Sequence, residues 1–180
     1  LKSFIEWGSK CYSKFNGMWA MAIYDHQNHS LNLSRDRFGV KPLYLYVHKS
    51  NIFFASEVKS FALLPKSIAP KCDKTLIDFL GKRPDNRSFL KKPICRLPAG
   101  HYLTILQDLS LVFKKWWNLE NHIPSIGKLN ADQVIRTFHD IFMSSLKLRT
   151  RSDAKICSAL SGGLDSSAIV SVLSDNLNYE

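Results

Sequence analysis

Ser161-Gly162-Gly163-Leu164-Asp165-Ser166-Ser167 brings two glycines, three hydroxyls and a carboxylate into one short stretch. The preceding run, Ile156-Cys157-Ser158-Ala159-Leu160, has the length and bounds of a buried strand, and Ala168 to Leu173 reads as a helix. A strand, a Gly-Gly turn and a helix start form an anion site. Backbone N–H groups at the turn point outward with the positive end of the helix dipole. The glycines allow close approach of a phosphate because no Cβ intervenes. Ser161, Ser166 and Ser167 can add donors. Asp165 would repel a polyphosphate unless a cation stands between them, which makes it the candidate Mg2+ ligand. The chemistry expected is binding of a nucleotide pyrophosphate.

Rival readings of these residues are weaker. No Gly-Lys-Ser/Thr follows the first glycine at Walker A spacing. Ala159-Leu160-Ser161-Gly162-Gly163 approximates a hydrolase nucleophile elbow, but the elbow's His partner should follow the Ser, and no His occurs after His139. A glycine-rich turn without a ligand is the remaining alternative.

The elements that must position this loop read as two textures. Met18–Tyr24 and Leu31–Ser34 alternate as strands around the polar turn Asp25-His26-Gln27-Asn28-His29-Ser30. Leu43–His48 and Ile52–Ala55 form a second pair around Lys49-Ser50-Asn51. Ser56 stands at an N-cap position before a helical Glu57–Leu64 that Pro65 stops. Asp73 could cap a short helix ending near Gly81, and Lys82–Pro98 reads as a long surface connection. Tyr102–Leu106 and Leu111–Lys115 read as a last hairpin. Asn118–Asn130 is a polar linker. Asn130 and Gln133 then open a helix whose Val134, Ile135, Phe138, Ile141, Phe142 and Leu146 recur at helical spacing, as for contact with a following sheet. A domain boundary falls near residue 120, giving domains 1–120 and 121–180.

Several motifs together resemble a known family. Ser-Gly-Gly-x-Asp-Ser is the signature of the PP-loop ATP pyrophosphatases. The run from Leu148 to Ser167 is similar to the synthetase domain of glutamine-hydrolysing asparagine synthetases. Phe15-Asn16-Gly17-Met18-Trp19-Ala20-Met21-Ala22-Ile23-Tyr24-Asp25 resembles a strand of the class II, N-terminal-nucleophile glutaminase domain. Arg35-Asp36-Arg37-Phe38-Gly39-Val40-Lys41-Pro42-Leu43-Tyr44 and Phe54-Ala55-Ser56-Glu57-Val58-Lys59 match that domain too. Leu97-Pro98-Ala99-Gly100-His101-Tyr102 and Trp116-Trp117-Asn118-Leu119 fit its closing segment, with Ala99 and Trp116 in place of the usual Pro and Tyr.

The resemblance implies an α+β glutaminase-type sandwich, represented by its C-terminal portion, followed by the start of an α/β PP-loop domain of the adenine nucleotide alpha hydrolase-like kind. It also implies an internal piece of a longer enzyme. The N-terminal Cys nucleophile, the Arg that holds the glutamine carboxylate and the Asn-Gly oxyanion segment belong upstream, so no catalytic residue is expected here. The implied reaction takes aspartate, glutamine and ATP to asparagine, glutamate, AMP and pyrophosphate through a β-aspartyl-AMP intermediate. In it Leu160, Ser161, Gly162, Gly163, Leu164, Asp165, Ser166 and Ser167 bind ATP and its pyrophosphate, with Asp165 on Mg2+. Related enzymes with this plan amidate a sugar acid or close a β-lactam ring; an incomplete, inactive product is the non-enzyme alternative. Arg35, Asp36 and Gly39 are expected to form a structural polar turn.

Composition constrains partners. The 180 residues carry a net charge of +10, and Lys82, Arg83, Arg87, Lys91, Lys92 and Arg96 cluster. No zinc spacing or RRM-type motif accompanies that charge, so a solvated basic loop is expected and no nucleic-acid partner. No run approaches the roughly 18 apolar residues of a membrane span. Cys11, Cys72, Cys95 and Cys157 show no CxxC pairing, which suits packing in a reducing, cytoplasmic compartment. Cys11 is internal and not expected to be a nucleophile. His26 and His29 sit in a turn rather than a metal site. Glutamine and aspartate are the expected small-molecule partners; the family plan also allows a homodimer.

Overall fold

The computed structural model describes residues 1–70, 93–123 and 130–177. The chain divides into two compact units, Leu1–Ile123 and Pro124–Glu180.

The first unit opens with α1 (Lys2–Trp7) and a 3-10 stretch, Gly8–Lys14. Seven strands follow among the described residues: β1 (Ala20–Asp25), β2 (Ser30–Arg35), β3 (Tyr44–His48), β4 (Asn51–Ala55), β5 (Ile94–Arg96), β6 (His101–Ile105) and β7 (Leu111–Lys115). They form two antiparallel sheets, ordered β1-β2-β6-β7 and β4-β3-β5. In the first, Leu33 lies opposite Ala22 on one side and Leu103 on the other. In the second, Leu45 lies opposite Phe54 and Cys95. One buried cluster draws on both sheets: Leu33, Leu103 and Ile105 from the first, Leu45 and Cys95 from the second, with Leu43 and Leu97 beside them. Fully burying one such leucine is worth about 1.5–3 kcal/mol.

The alternation of side chains sends the neighbours of these residues to the outer faces. Behind the first sheet, Tyr102 of β6 meets the ring of Tyr12, which is fully buried, at 5.6 Å between centroids. Behind the second, Tyr46 and Ile94 pack with Phe61. Val58, Phe61 and Leu64 contribute to that cluster at a spacing of three, the repeat of a 3-10 helix. Accordingly Val58–Leu63 is a 3-10 helix with Glu57, not Ser56, at its N-cap, and no side chain caps it.

β5 departs from the sequence reading. Ile94, Cys95 and Arg96 pair with β3 instead of forming loop, and their shortness beside Pro93 hid the strand signal. The helix expected from Asp73 to Gly81 and most of the basic connection lie outside the described residues.

In the second unit, α2 (Ala131–Arg149) starts at a capping box: Gln133 N–H donates to Asn130 Oδ1 at 2.9 Å, and Asn130 N–H to Gln133 Oε1 at 3.0 Å. Residues 151–163 carry no helix or strand, and α3 (Leu164–Leu177) follows. The two helices touch, with Leu146 and Leu173 buried. Two expectations fail here. Ile156–Leu160 is not a strand, and only Ile156 is half-buried. A strand needs a neighbour to complete its backbone hydrogen bonds, and no strand exists among the described residues of this unit to pair with it. For the same reason the α2 stripe covers no sheet: Ile135, Phe138 and Ile141 are 64–68% exposed.

Candidate functional site

The loop from Leu160 to Ser167 is brought together by a short-range hydrogen-bond knot. Gly162 has φ +80°, the left-handed region that glycine enters without steric cost, and a Cβ built on it would meet no atom within 4 Å. That conformation turns the chain directly into α3, whose first turn contains Leu164, Asp165, Ser166 and Ser167. The helix therefore begins earlier than the expected Ala168. The Ser167 N–H donates to Gly163 O at 3.1 Å and closes the first helical turn. N–H groups ahead of it in the helix have no intrahelical acceptor, so the loop faces a cluster of free donors.

The serines divide their work. The Ser166 hydroxyl donates to Gly163 O at 3.0 Å. With that proton committed, Ser166 Oγ accepts from Ser161 N–H at 3.3 Å and from the Ser161 hydroxyl at 2.9 Å. Ser161 and Ser166 thus face each other across the turn and set its width. Leu160 and Leu164 are 63% and 87% exposed, and Asp165 is exposed in the first helical turn. Among the described residues no group of three or more His, Cys, Asp or Glu side chains could hold a metal ion by itself. A lone carboxylate nonetheless fits Mg2+, which commonly takes one or two carboxylates and completes its shell with phosphate oxygens and water.

Among the described residues, the Arg-Asp-Arg-Phe-Gly segment in the first unit carries a dense buried polar network. Asp36 is 1% exposed. Its Oδ1 accepts from Phe38 N–H at 3.1 Å and Val40 N–H at 2.9 Å; Oδ2 accepts from Lys41 N–H at 3.0 Å and Trp19 N–H at 3.3 Å. Its backbone carbonyl receives Gly39 N–H and Gly100 N–H. Arg35 spans outward from the same point, donating to Lys41 O at 2.6 Å, to Leu97 O at 2.8 Å and to Gly39 O. Its guanidinium is held down to about 10, first by burial and then by the nearby charge of Arg96, against the opposing pull of Asp36 and Tyr44. Gly39 has φ +64°, and a Cβ there would stand 2.8 Å from Arg35 Cζ. Both carboxylate oxygens and all three branches of the guanidinium are used on backbone, so the motif builds a turn. Cys11 is likewise fully buried, and burial raises its thiol above the usual range. Sequence reasoning missed that Asp36 reaches back to Trp19, seventeen residues upstream.

Comparison with known proteins places these observations. Residues 1–117 match the family model described as a glutamine amidotransferase domain, and residues 137–178 match that described as asparagine synthase. The chain is 32% identical to asparagine synthetase [glutamine-hydrolyzing] 3 of Bacillus subtilis, over all of this chain and 29% of that protein. It is 34% identical to a putative asparagine synthetase [glutamine-hydrolyzing] 2 of Methanocaldococcus jannaschii, over 96% of this chain and 34% of that protein. It is also 29% identical to amidase chyE of Penicillium rubens, over 94% of this chain and 25% of that protein. The chain thus spans between a quarter and about a third of the length of these relatives. With its two antiparallel sheets and the match over residues 1–117, the chain belongs to the glutamine amidotransferase domain family, joined to a segment of asparagine synthase sequence.

Proposed function

We propose that the chain is part of an ATP-dependent, glutamine-hydrolysing asparagine synthetase of the cytoplasm, with domains 1–120 and 121–180, the second being the start of a PP-loop domain. The observation that carries this reading is the turn at Gly162 feeding the N-terminus of α3, within the segment that matches asparagine synthase. Leu160 to Ser167 bind ATP. The N–H groups of Gly162, Gly163 and the first turn of α3 face the β- and γ-phosphates, and Ser161 and Ser166 exchange their mutual hydrogen bond for phosphate oxygens. These donors stabilise negative charge as pyrophosphate leaves and the aspartate side chain becomes an acyl-adenylate. Adenylation turns a poor leaving oxygen into a good one, and ammonia from glutamine then displaces AMP. Asp165 would hold Mg2+, whose charge offsets that of the phosphates.

The test is Asp165→Ala in the enzyme isolated from cells that make it. Aspartate-dependent exchange of labelled pyrophosphate into ATP should be lost, by roughly a hundredfold or more as for other lost charge-stabilising groups, while glutamine hydrolysis persists. Retained exchange would overturn the reading. A second reading is favoured by the similarity to amidase chyE and to amidase chry2 of Gibberella zeae, the latter 28% identical over 94% of this chain. In it the same loop activates a different carboxylate, and exchange proceeds without aspartate.

A further inference from the structure

Between the Gly8–Lys14 turn and β1, the chain is anchored at Phe15 and again at Trp19. Phe15 N–H donates to Tyr12 O at 3.4 Å, and the Arg37 guanidinium holds Phe15 O. Trp19 N–H donates to Asp36 Oδ2 at 3.3 Å, and Asp36 N–H to Trp19 O at 3.0 Å. Asn16, Gly17 and Met18 bridge these anchors and are all exposed. Among the described residues no hydrogen bond engages the Asn16 side chain or the Gly17 N–H. A Cβ built on Gly17 would meet nothing within 4 Å, so open space surrounds the bond between them.

We propose that Asn16-Gly17 is a site of spontaneous covalent modification, at which the asparagine becomes aspartate and isoaspartate through a succinimide. The Gly17 nitrogen attacks Asn16 Cγ and forms the new C–N bond. The Cγ–Nδ2 bond breaks, and ammonia departs with the proton that the Gly17 amide gives up. Water then adds to the ring. Opening at Cγ yields aspartate; opening at the Asn16 backbone carbonyl yields isoaspartate and lengthens the main chain by a methylene. Glycine favours the attack because no side chain crowds the nitrogen. Asn16-Gly17 is the one Asn-Gly pair in the sequence. Three of the other asparagines are restrained. Asn28 Nδ2 is held by Asp25 at 2.7 Å, Asn32 is buried, and Asn130 is fixed as a helix cap. The new carboxylate adjoins the peptide bond that Arg37 already touches, where a cation favours it.

The 180-residue chain is aged at mildly alkaline pH and its peptides are mapped by mass spectrometry, scoring exchange of an amide NH2 for OH. Conversion at Asn16 should run roughly tenfold faster than at Asn28, Asn51 or Asn121, each followed by a residue with a side chain. Asn16→Gln should remove the acidic species that ion exchange resolves. Conversion at Asn16 no faster than at those three sites overturns the proposal. So does conversion at least roughly tenfold slower in the folded chain than in urea, because the fold would then hold the glycine nitrogen from attack.

Discussion

Two residues of the first unit make the case that a side chain's value depends on what its atoms face. Asp36 accepts four backbone N–H groups while almost wholly buried. Asp36→Asn replaces one accepting oxygen with an NH2 that meets those donors head-on, and should cost about 2–3 kcal/mol. The urea midpoint of the chain measures it; an unchanged midpoint would mean the turn is held by Arg35 and Gly39 alone. His101 makes the second case. Its Nδ1 lies 2.7 Å from Ala99 O and must be the donor, because a carbonyl only accepts. Burial lowers the imidazole below its ordinary 6.5; Lys115 pushes the same way, and the hydrogen bond to Ala99 opposes both. The unfolded chain therefore binds a proton before the folded one does. Stability present above 6.5 is lost as pH falls through that value toward the lower folded one. Urea midpoints taken across this range should fall on the acid side, and His101→Gln should flatten the slope.

Elements with a local signal were legible from sequence; those defined by distant partners were not. The β1–β2 and β6–β7 hairpins follow from alternation flanking polar turns, and the α2 start follows from Asn130 and Gln133. β5 escaped notice because three residues carry no period, and its identity comes from pairing with β3. Ile156–Leu160 erred in the other direction. Its apolar run has strand composition, but strand formation needs neighbours to complete the hydrogen bonding. The loop's placement before a helix was legible, because Gly-Gly followed by Leu-Asp-Ser-Ser is turn and first-turn chemistry. The facing of Ser161 and Ser166 was not, since it depends on Gly162 adopting φ +80°.

At the scale of the whole molecule the two units differ in how much they bury. The first contains two clusters and fully buried Leu33, Leu45, Leu97 and Leu103, whereas Leu146, Thr150 and Leu173 are the buried residues among those described in the second. Opening free energy tracks burial. Hydrogen exchange should therefore find the amides of β2 and β6 most protected, with α2 and α3 exchanging by local opening at much lower cost. Equal protection of the two units would show that the exposed stripe on α2 is covered in solution.

The four amides gathered by the Asp36 carboxylate also act as a gauge of chain length. They come from residues 38, 40 and 41 and from Trp19 at the head of β1, so an added or deleted residue between 37 and 41 would slide at least one amide off its oxygen. At the neighbouring tip, Asp25 Oδ1 gathers the Gln27 and Asn28 N–H groups at 2.9 and 3.2 Å, but those bonds are exposed and local, so lengthening there costs little beyond them and loop-closure entropy. Insertions, affinity tags and new chain ends should therefore be tolerated more readily at the exposed tip than between residues 37 and 41, though both turns flank the same strand.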